Sequence, residues 1–272
     1  MNDRKILFSD LDGTLLNKDK EITPRNREAI HKMLKQGHYF VIATGRAVES
    51  GRKVAKDLGL TMPGCYMIAF NGAVLYDCAA DRILMKKSLP IEYVQELFER
   101  AQKAGIYVQT YTNTDIITKK HTKELDFYVK NSKMQYKIAP KIYEALEEEP
   151  QKVLLISLDD RKKLEQFQKE NLAWERGRCN SFFSCDEYLE YCPFETDKGY
   201  AIQYISKILD VPHENTIAIG DETNDIFMIK MAKLGVAVAN AKNDVKKAAN
   251  YVTQNDCEHD AVAEVIERFI LK

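Results

Sequence analysis

The segment KILFSDLDGT, residues 5–14, decides how the rest of the chain is read. Its apolar run, 5–9, is continuous rather than alternating, as in a strand buried on both faces of a parallel sheet. The run ends in Asp10-Leu11-Asp12-Gly13, two carboxylates two residues apart followed by a glycine that can take a turn closed to other residues. The first strand therefore delivers Asp10 into a loop. Taken alone, the pattern reads equally well as a solvated turn, because Asp and Gly favour turns wherever they occur.

Outward from this segment the chain alternates strand and helix. Thr23 is placed as an N-cap, Pro24 opens a helix with an apolar stripe at Ile30, Met33 and Leu34, and Gly37 closes it. Residues 38–43 form a second apolar strand running into Thr44-Gly45-Arg46 and a helix to about Leu58. The same grammar returns at Lys198, whose helix carries Ala201, Ile202, Ile205, Ile208 and Leu209 on one face. A strand at 216–219 follows and delivers a second acidic cluster, Gly220-Asp221-Glu222-Thr223-Asn224-Asp225. A helix at 224–233, a short strand at 235–238 and a last helix striped by Val262, Val265, Ile266, Phe269 and Ile270 complete it.

This alternation implies an α/β, Rossmann-like doubly wound parallel sheet covered on both faces. Between 82 and 190 the pattern changes to longer helices (90–104, 121–131, 160–171) and strands at 106–111 and 153–158. The expected organisation is a core of 1–81 plus 191–272, with an α/β cap inserted at 82–190 and a hinge at the two crossings.

Forty basic residues balance 41 acidic ones, which excludes the basic excess of a dedicated nucleic-acid binder. The six cysteines form no C-x-x-C pair or zinc spacing, and with no apolar stretch of signal-peptide length at the N-terminus they are read as reduced thiols of a cytoplasmic protein. The uncharged stretch 58–76 is broken by Gly59, Pro63, Gly64, Asn71 and Gly72, so it reads as loop, buried strand and turn rather than a membrane span. No nucleic-acid or membrane partner is expected, and the chain is read as a monomer or homodimer.

Loops that follow parallel strands emerge at one edge of the sheet, so Asp10, Thr44 and Asp221 should converge. Carboxylates gathered in a partly dry cleft repel one another unless a hard cation offsets them. An all-oxygen set without His or Cys fits Mg²⁺. A helix of about twelve residues from Lys198 travels ~18 Å away, and a strand of about five residues returns ~17 Å. Lys198 and Asp221 thus share one end of the sheet. A lysine, a threonine hydroxyl, helix N-terminal amides and Mg²⁺ around a carboxylate suit a phosphoryl group.

The ordered set Asp10-x-Asp12-Gly13-Thr14, Thr44-Gly45-Arg46, Lys198-Gly199 and Gly220-Asp221-x-x-Asn224-Asp225 resembles the haloacid dehalogenase superfamily of phosphatases. The inserted module makes it similar to the Cof-type branch with a large α/β cap, and Asn71-Gly72-Ala73 falls in the same pattern. The resemblance implies that Asp10 attacks phosphorus and becomes an aspartyl phosphate, while Asp12 is general acid and base with a carboxyl raised by its neighbours. It implies Mg²⁺ held by the Asp10 side chain, the Asp12 main-chain carbonyl and the Asp221 side chain. It further implies that Thr44, the Gly45 and Leu11 amides, Lys198 and Asn224 grip the phosphoryl oxygens, with Asp225 orienting Lys198 or a metal-bound water.

Arg46 is left as either a phosphate contact or a surface arginine, and the approach Phe194-Glu195-Thr196-Asp197 is more acidic than such families lead one to expect. The cap is expected to close over a small phosphorylated metabolite, sugar phosphates foremost, with nucleotide, flavin and pyridoxal phosphates open. Its basic and aromatic segment (Lys119, Lys120, His121, Lys123, Lys130, Lys133 and Lys137 with Phe127, Tyr128 and Tyr136) reads as a solvated face. Two rival readings are a phosphomutase using the same Asp10 and a non-catalytic phospho-switch of receiver type, which normally accepts phosphate on a later strand and lacks such a cap.

Overall fold

The computed structural model describes residues 3–271. Its first elements are β1 (Ile6–Asp10), α1 (Pro24–Lys35), β2 (Tyr39–Ala43), α2 (Val48–Asp57), β3 (Cys65–Ala69), β4 (Val74–Asp77) and β5 (Arg82–Lys86). There follow α3 (Ile91–Lys103), β6 (Tyr107–Tyr111), β7 (Asp115–Thr118), α4 (Lys123–Ser132), β8 (Gln135–Ile138), β9 (Val153–Ile156), α5 (Arg161–Glu175), β10 (Cys179–Cys185) and β11 (Tyr188–Pro193). The chain closes with α6 (Lys198–Ile208), β12 (Thr216–Gly220), α7 (Ile226–Met231), β13 (Leu234–Ala237), α8 (Asn243–Ala248), β14 (Tyr251–Val252) and α9 (Ala261–Phe269).

Two compact units result. One contains the chain up to Arg46, Gly51–Met85 and everything from Asp197 onward; the other contains Ala47–Ser50 and Lys86–Thr196. The boundaries expected after 81 and 190 therefore lie at 85/86 and 196/197. The physical reason is strand pairing: β5 joins the edge of the first sheet, and β11 runs through Pro193 as an inner strand of the second.

The first sheet has the order β14-β13-β12-β1-β2-β3-β4-β5. Its strands from β14 to β3 run parallel, and β4 turns back antiparallel to β3. Ile6, Leu7 and Phe8 of β1 are fully buried, the expected burial for a strand covered on both faces. Ile6, Phe8, Val41, Ile68 and Ala218 pack against Ala201, Ile202 and Ile205 of α6. Each fully buried Leu, Ile or Phe contributes about 1.5–3 kcal/mol. Helix α1 starts as its sequence dictates: the Thr23 hydroxyl accepts from the Asn26 amide, and Pro24 occupies the first position, where no N–H is needed.

The second sheet, β10-β11-β9-β6-β7-β8, is antiparallel except where β7 pairs with β8. On one face Val108, Val153, Leu155 and Leu189 pack with Leu97 and Phe98 of α3 and Leu164 and Phe167 of α5. The basic and aromatic segment is mainly a solvated face, with Lys120, Lys123, Lys130, Lys133 and Lys137 exposed. Tyr128 of α4 packs its ring 6.0 Å from Tyr111 and 5.6 Å from Tyr188, while Lys137 pairs with Asp115 and Lys123 with Asp159. The helix expected at 224–233 is shorter, because a 3₁₀ turn at Thr223–Asp225 precedes α7. Among the described residues, no helix is long and apolar enough to cross a membrane.

Candidate active site

Adjacent strands β12, β1, β2 and β3 of the first sheet end side by side, placing Asp221, Asp10, Thr44 and Asn71 at its carboxyl edge. Asp10 is the last residue of β1 and buried. The Lys198 ammonium, at the first position of α6, lies 2.5 Å from Asp10 Oδ1 and 2.6 Å from Asp225 Oδ1. The acidic approach to this helix has a local cause. Asp197 is the N-cap of α6, its carboxylate accepting from the Gly199 amide at 2.7 Å and the Tyr200 amide at 2.9 Å.

Asp225 is engaged at both oxygens, since its Oδ2 accepts from the Asp221 and Glu222 amides at 3.0 Å each. The Thr14 hydroxyl donates to Asp221 Oδ1 at 2.8 Å. Gly13 is required twice over: its φ is +87°, and a Cβ there would stand 2.4 Å from Asp221 Oδ2. Leu11, Leu15 and Leu16 bury their side chains and carry the turn from its apolar side.

Carboxylate oxygens of Asp10, Asp221 and Asp225 come within 4.8 Å of one another, facing a single ammonium. Burial lifts the Asp10 carboxyl well above its ordinary range; Lys198 opposes that rise, and the charges of Asp225 and Asp221 add to it. Burial, followed by the Asp225 charge, pushes Asp221 up to about 7. Lys198 is raised instead: burial works against its charge, but Asp10 and Asp225 outweigh it. An excess of buried negative charge on hard oxygen donors is the setting in which a divalent cation such as Mg²⁺ fits.

Asp12 departs from expectation. Its carboxylate, 39% exposed, pairs with Lys20 at 2.8 Å and accepts from Arg46 Nε at 3.0 Å and from a terminal guanidinium nitrogen at 2.8 Å. Burial would raise this carboxyl, but the Arg46 hydrogen bonds and charge, then Lys20, hold it below the ordinary range. The expected upward shift is thus reversed, because two cations and no carboxylate adjoin it. Arg46 is here a half-buried partner of Asp12. Lys20 carried no signal in the sequence, since its left-handed φ of 64° brings it back toward Asp12 only through the loop's fold.

The remaining expected residues gather around Asn71. Thr44, buried, accepts at its main-chain oxygen from the Asn71 amide at 3.1 Å, and Asn224 Nδ2 donates to Asn71 Oδ1 at 3.2 Å. A Cβ on Gly45 would lie 2.9 Å from Asn71 Nδ2, so a larger residue there would have to displace the Asn71 carboxamide.

Comparison with known proteins identifies the family. Residues 7–266 match the family model described as haloacid dehalogenase-like hydrolase. The chain is 28% identical to the 5-amino-6-(5-phospho-D-ribitylamino)uracil phosphatase YcsE of Bacillus subtilis (strain 168), over 99% of this chain and 97% of that one. It is 25% identical to phosphatase YwpJ of the same organism, over 98% and 100%. A crystal structure of a haloacid dehalogenase-like hydrolase from Bacteroides thetaiotaomicron superposes with a TM-score of 0.86 at 32% identity, covering 97% of this chain and 99% of that one. Family match, fold and site thus agree that the chain belongs to the haloacid dehalogenase-like hydrolases, as a Cof-type phosphatase.

Proposed function

We propose that this chain hydrolyses phosphate monoesters of small metabolites, sugar phosphates foremost, in a Mg²⁺-dependent reaction through an aspartyl phosphate on Asp10. The observation that carries the reading is the buried Asp10, held 2.5 Å from Lys198 beside Asp221 and Asp225 at the sheet's carboxyl edge. The relative YcsE, named for a phosphorylated ribityl compound, supports a polyhydroxylated leaving group.

In this reading Asp10 attacks phosphorus as the ester P–O bond breaks, and Asp12 gives the departing alkoxide its proton. Water then attacks the phosphorus of the aspartyl phosphate, Asp12 takes the water's proton, and inorganic phosphate leaves with Asp10 restored. Thr44, the Gly45 and Leu11 amides, Lys198 and Asn224 hold the phosphoryl oxygens where charge develops. Asp10, Asp221 and the Asp12 main-chain carbonyl would hold Mg²⁺, with Asp225 behind them setting Lys198 in place. Bound there, the cation supplies charge neutralisation for a phosphoryl oxygen. The unit around Lys86–Thr196 serves as the substrate-specificity cap.

The test is phosphate release from p-nitrophenyl phosphate and a panel of sugar, nucleotide, flavin and pyridoxal phosphates. Release should require Mg²⁺, stop with EDTA and fall about 10³-fold or more in Asp10→Asn. Metal-independent release, or an active Asp10→Asn, would overturn the reading. Turnover seen only with an added sugar bisphosphate would instead favour a mutase.

A further inference from the structure

We infer that Asn71 is a positioning residue for the phosphoryl grip, its carboxamide fixing Asn224 and Gly45 while its backbone fixes Thr44; this rests on the reading proposed above. The segment Phe70-Asn71-Gly72 leaves β3 with three consecutive positive φ values, 49°, 52° and 113°. Two of these belong to non-glycine residues, a conformation that persists only when surrounding structure imposes it, and one that collects at functional sites. Asparagine is among the few side chains that tolerate it.

The surroundings that impose it are the loops expected to hold phosphate. The Asn71 amide donates to Thr44 O at 3.1 Å, and its side-chain amide packs where a Gly45 Cβ would be, 2.9 Å from Nδ2. Its Oδ1 accepts from Asn224 Nδ2 at 3.2 Å, in a contact with Asn71 1% and Asn224 9% exposed. At the next residue, a Cβ on Gly72 would stand 2.3 Å from the main-chain oxygen of Asp197, the N-cap of Lys198's helix. One short turn therefore touches the Thr44-Gly45 loop, Asn224 and the start of α6. A neutral carboxamide suits this place: it offers Asn224 an acceptor without adding negative charge beside a phosphate. With Oδ1 so used, the Asn224 amide is held in one orientation, and its direction toward a phosphoryl oxygen is set before substrate arrives.

Asn71→Gly isolates the carboxamide, because glycine accepts the left-handed backbone. With p-nitrophenyl phosphate as substrate, Asn71→Gly is expected to lower kcat/KM by about tenfold or more, with Tm close to wild type. Asn224→Ala should produce a similar loss, and the double variant should be little worse than Asn224→Ala alone, because the two act as one unit. Asn71→Asp keeps the shape and the acceptor but adds charge; set this close to the phosphoryl grip, it should weaken competitive inhibition by inorganic phosphate. Wild-type kcat/KM in Asn71→Gly, losses that multiply in the double variant, or unchanged phosphate inhibition in Asn71→Asp would each overturn the inference. An Asn224→Ala variant with wild-type kinetics would instead overturn the assignment of Asn224 to the phosphoryl grip, and an active Asp10→Asn the hydrolytic reading itself.

Discussion

Lys198 Nζ lies 2.5 Å from Asp10 Oδ1 although 188 residues separate them in the chain, and the same nitrogen reaches Asp225 Oδ1 at 2.6 Å. One ammonium, 1% exposed, is thus shared by two buried carboxylates, one at the end of β1 and the other in the 3₁₀ turn that follows β12. Sharing keeps Lys198 charged where burial alone would discharge it.

Replacing Lys198 by Met keeps the length and removes the charge. Breaking a buried pair on one side is strongly destabilising, about 3–5 kcal/mol, unless the carboxylates take up protons. We expect kcat for p-nitrophenyl phosphate to fall at least ~10²-fold and Tm to drop more at pH 8 than at pH 5. A variant with wild-type kcat would remove Lys198 from the site.

Stability without metal should fall as pH rises. The Asp221 carboxyl stands at about 7 in the fold against an ordinary value of 3.8, lifted by burial and then by the Asp225 charge, and Asp10 is lifted too. Between those values the folded chain holds a proton that the unfolded chain has lost, so this contribution is complete below about pH 4 and gone above about 7. EDTA-treated protein should lose Tm from pH 5 to 8; added Mg²⁺ should restore it at pH 8, and Asp221→Asn should flatten the slope. A metal-free Tm that climbs over this range would contradict the arrangement.

Arg46 keeps the Asp12 carboxyl below its ordinary range, although burial alone would raise it. A general acid held ionised is a poor proton donor, so Arg46→Gln should move the pH at which activity is lost on Asp12 deprotonation upward by about 1 unit. The measurement is the pH profile of kcat/KM. An unmoved limb would mean that the pair dissolves before the chemical step.

Within the second unit, Lys152 and Glu190 form an ion pair at 3.0 Å with side chains 3% and 4% exposed, beside the Tyr111 ring. Glu190→Gln strands a buried ammonium and should cost about 3–5 kcal/mol, whereas Lys152→Met with Glu190→Leu should recover most of it. Chemical denaturation of the three proteins decides the matter; equal stability of single and double variants would show that the pair is not energetically coupled.

How much was legible follows from the range of each interaction. The run at 5–9, the Thr23-Pro24 start and the stripe at Ile202 and Ile205 are local signals, and β1, α1 and α6 form where they fall. β4, β5 and β10 were not legible, because antiparallel strands of four to seven residues carry too little periodicity to separate from loop. The divisions between the two units, at 85/86 and 196/197, were not legible for the same reason: the pairing of β5 and β11 is decided by partners far away in sequence.

By itself the sequence determined the α/β alternation and the set of acidic, threonine and lysine residues that a parallel sheet must bring to one edge, since strand direction alone decides which loops share it. Only the tertiary structure decided which charges touch. It turned Asp12 toward Arg46 and Lys20, set Lys198 between Asp10 and Asp225, and seated Asn71 against Gly45 and Asn224. Those choices depend on side-chain direction and burial at ångström separations, where a carboxyl is lifted or lowered by its nearest neighbour, and spacing along a chain does not encode that neighbour.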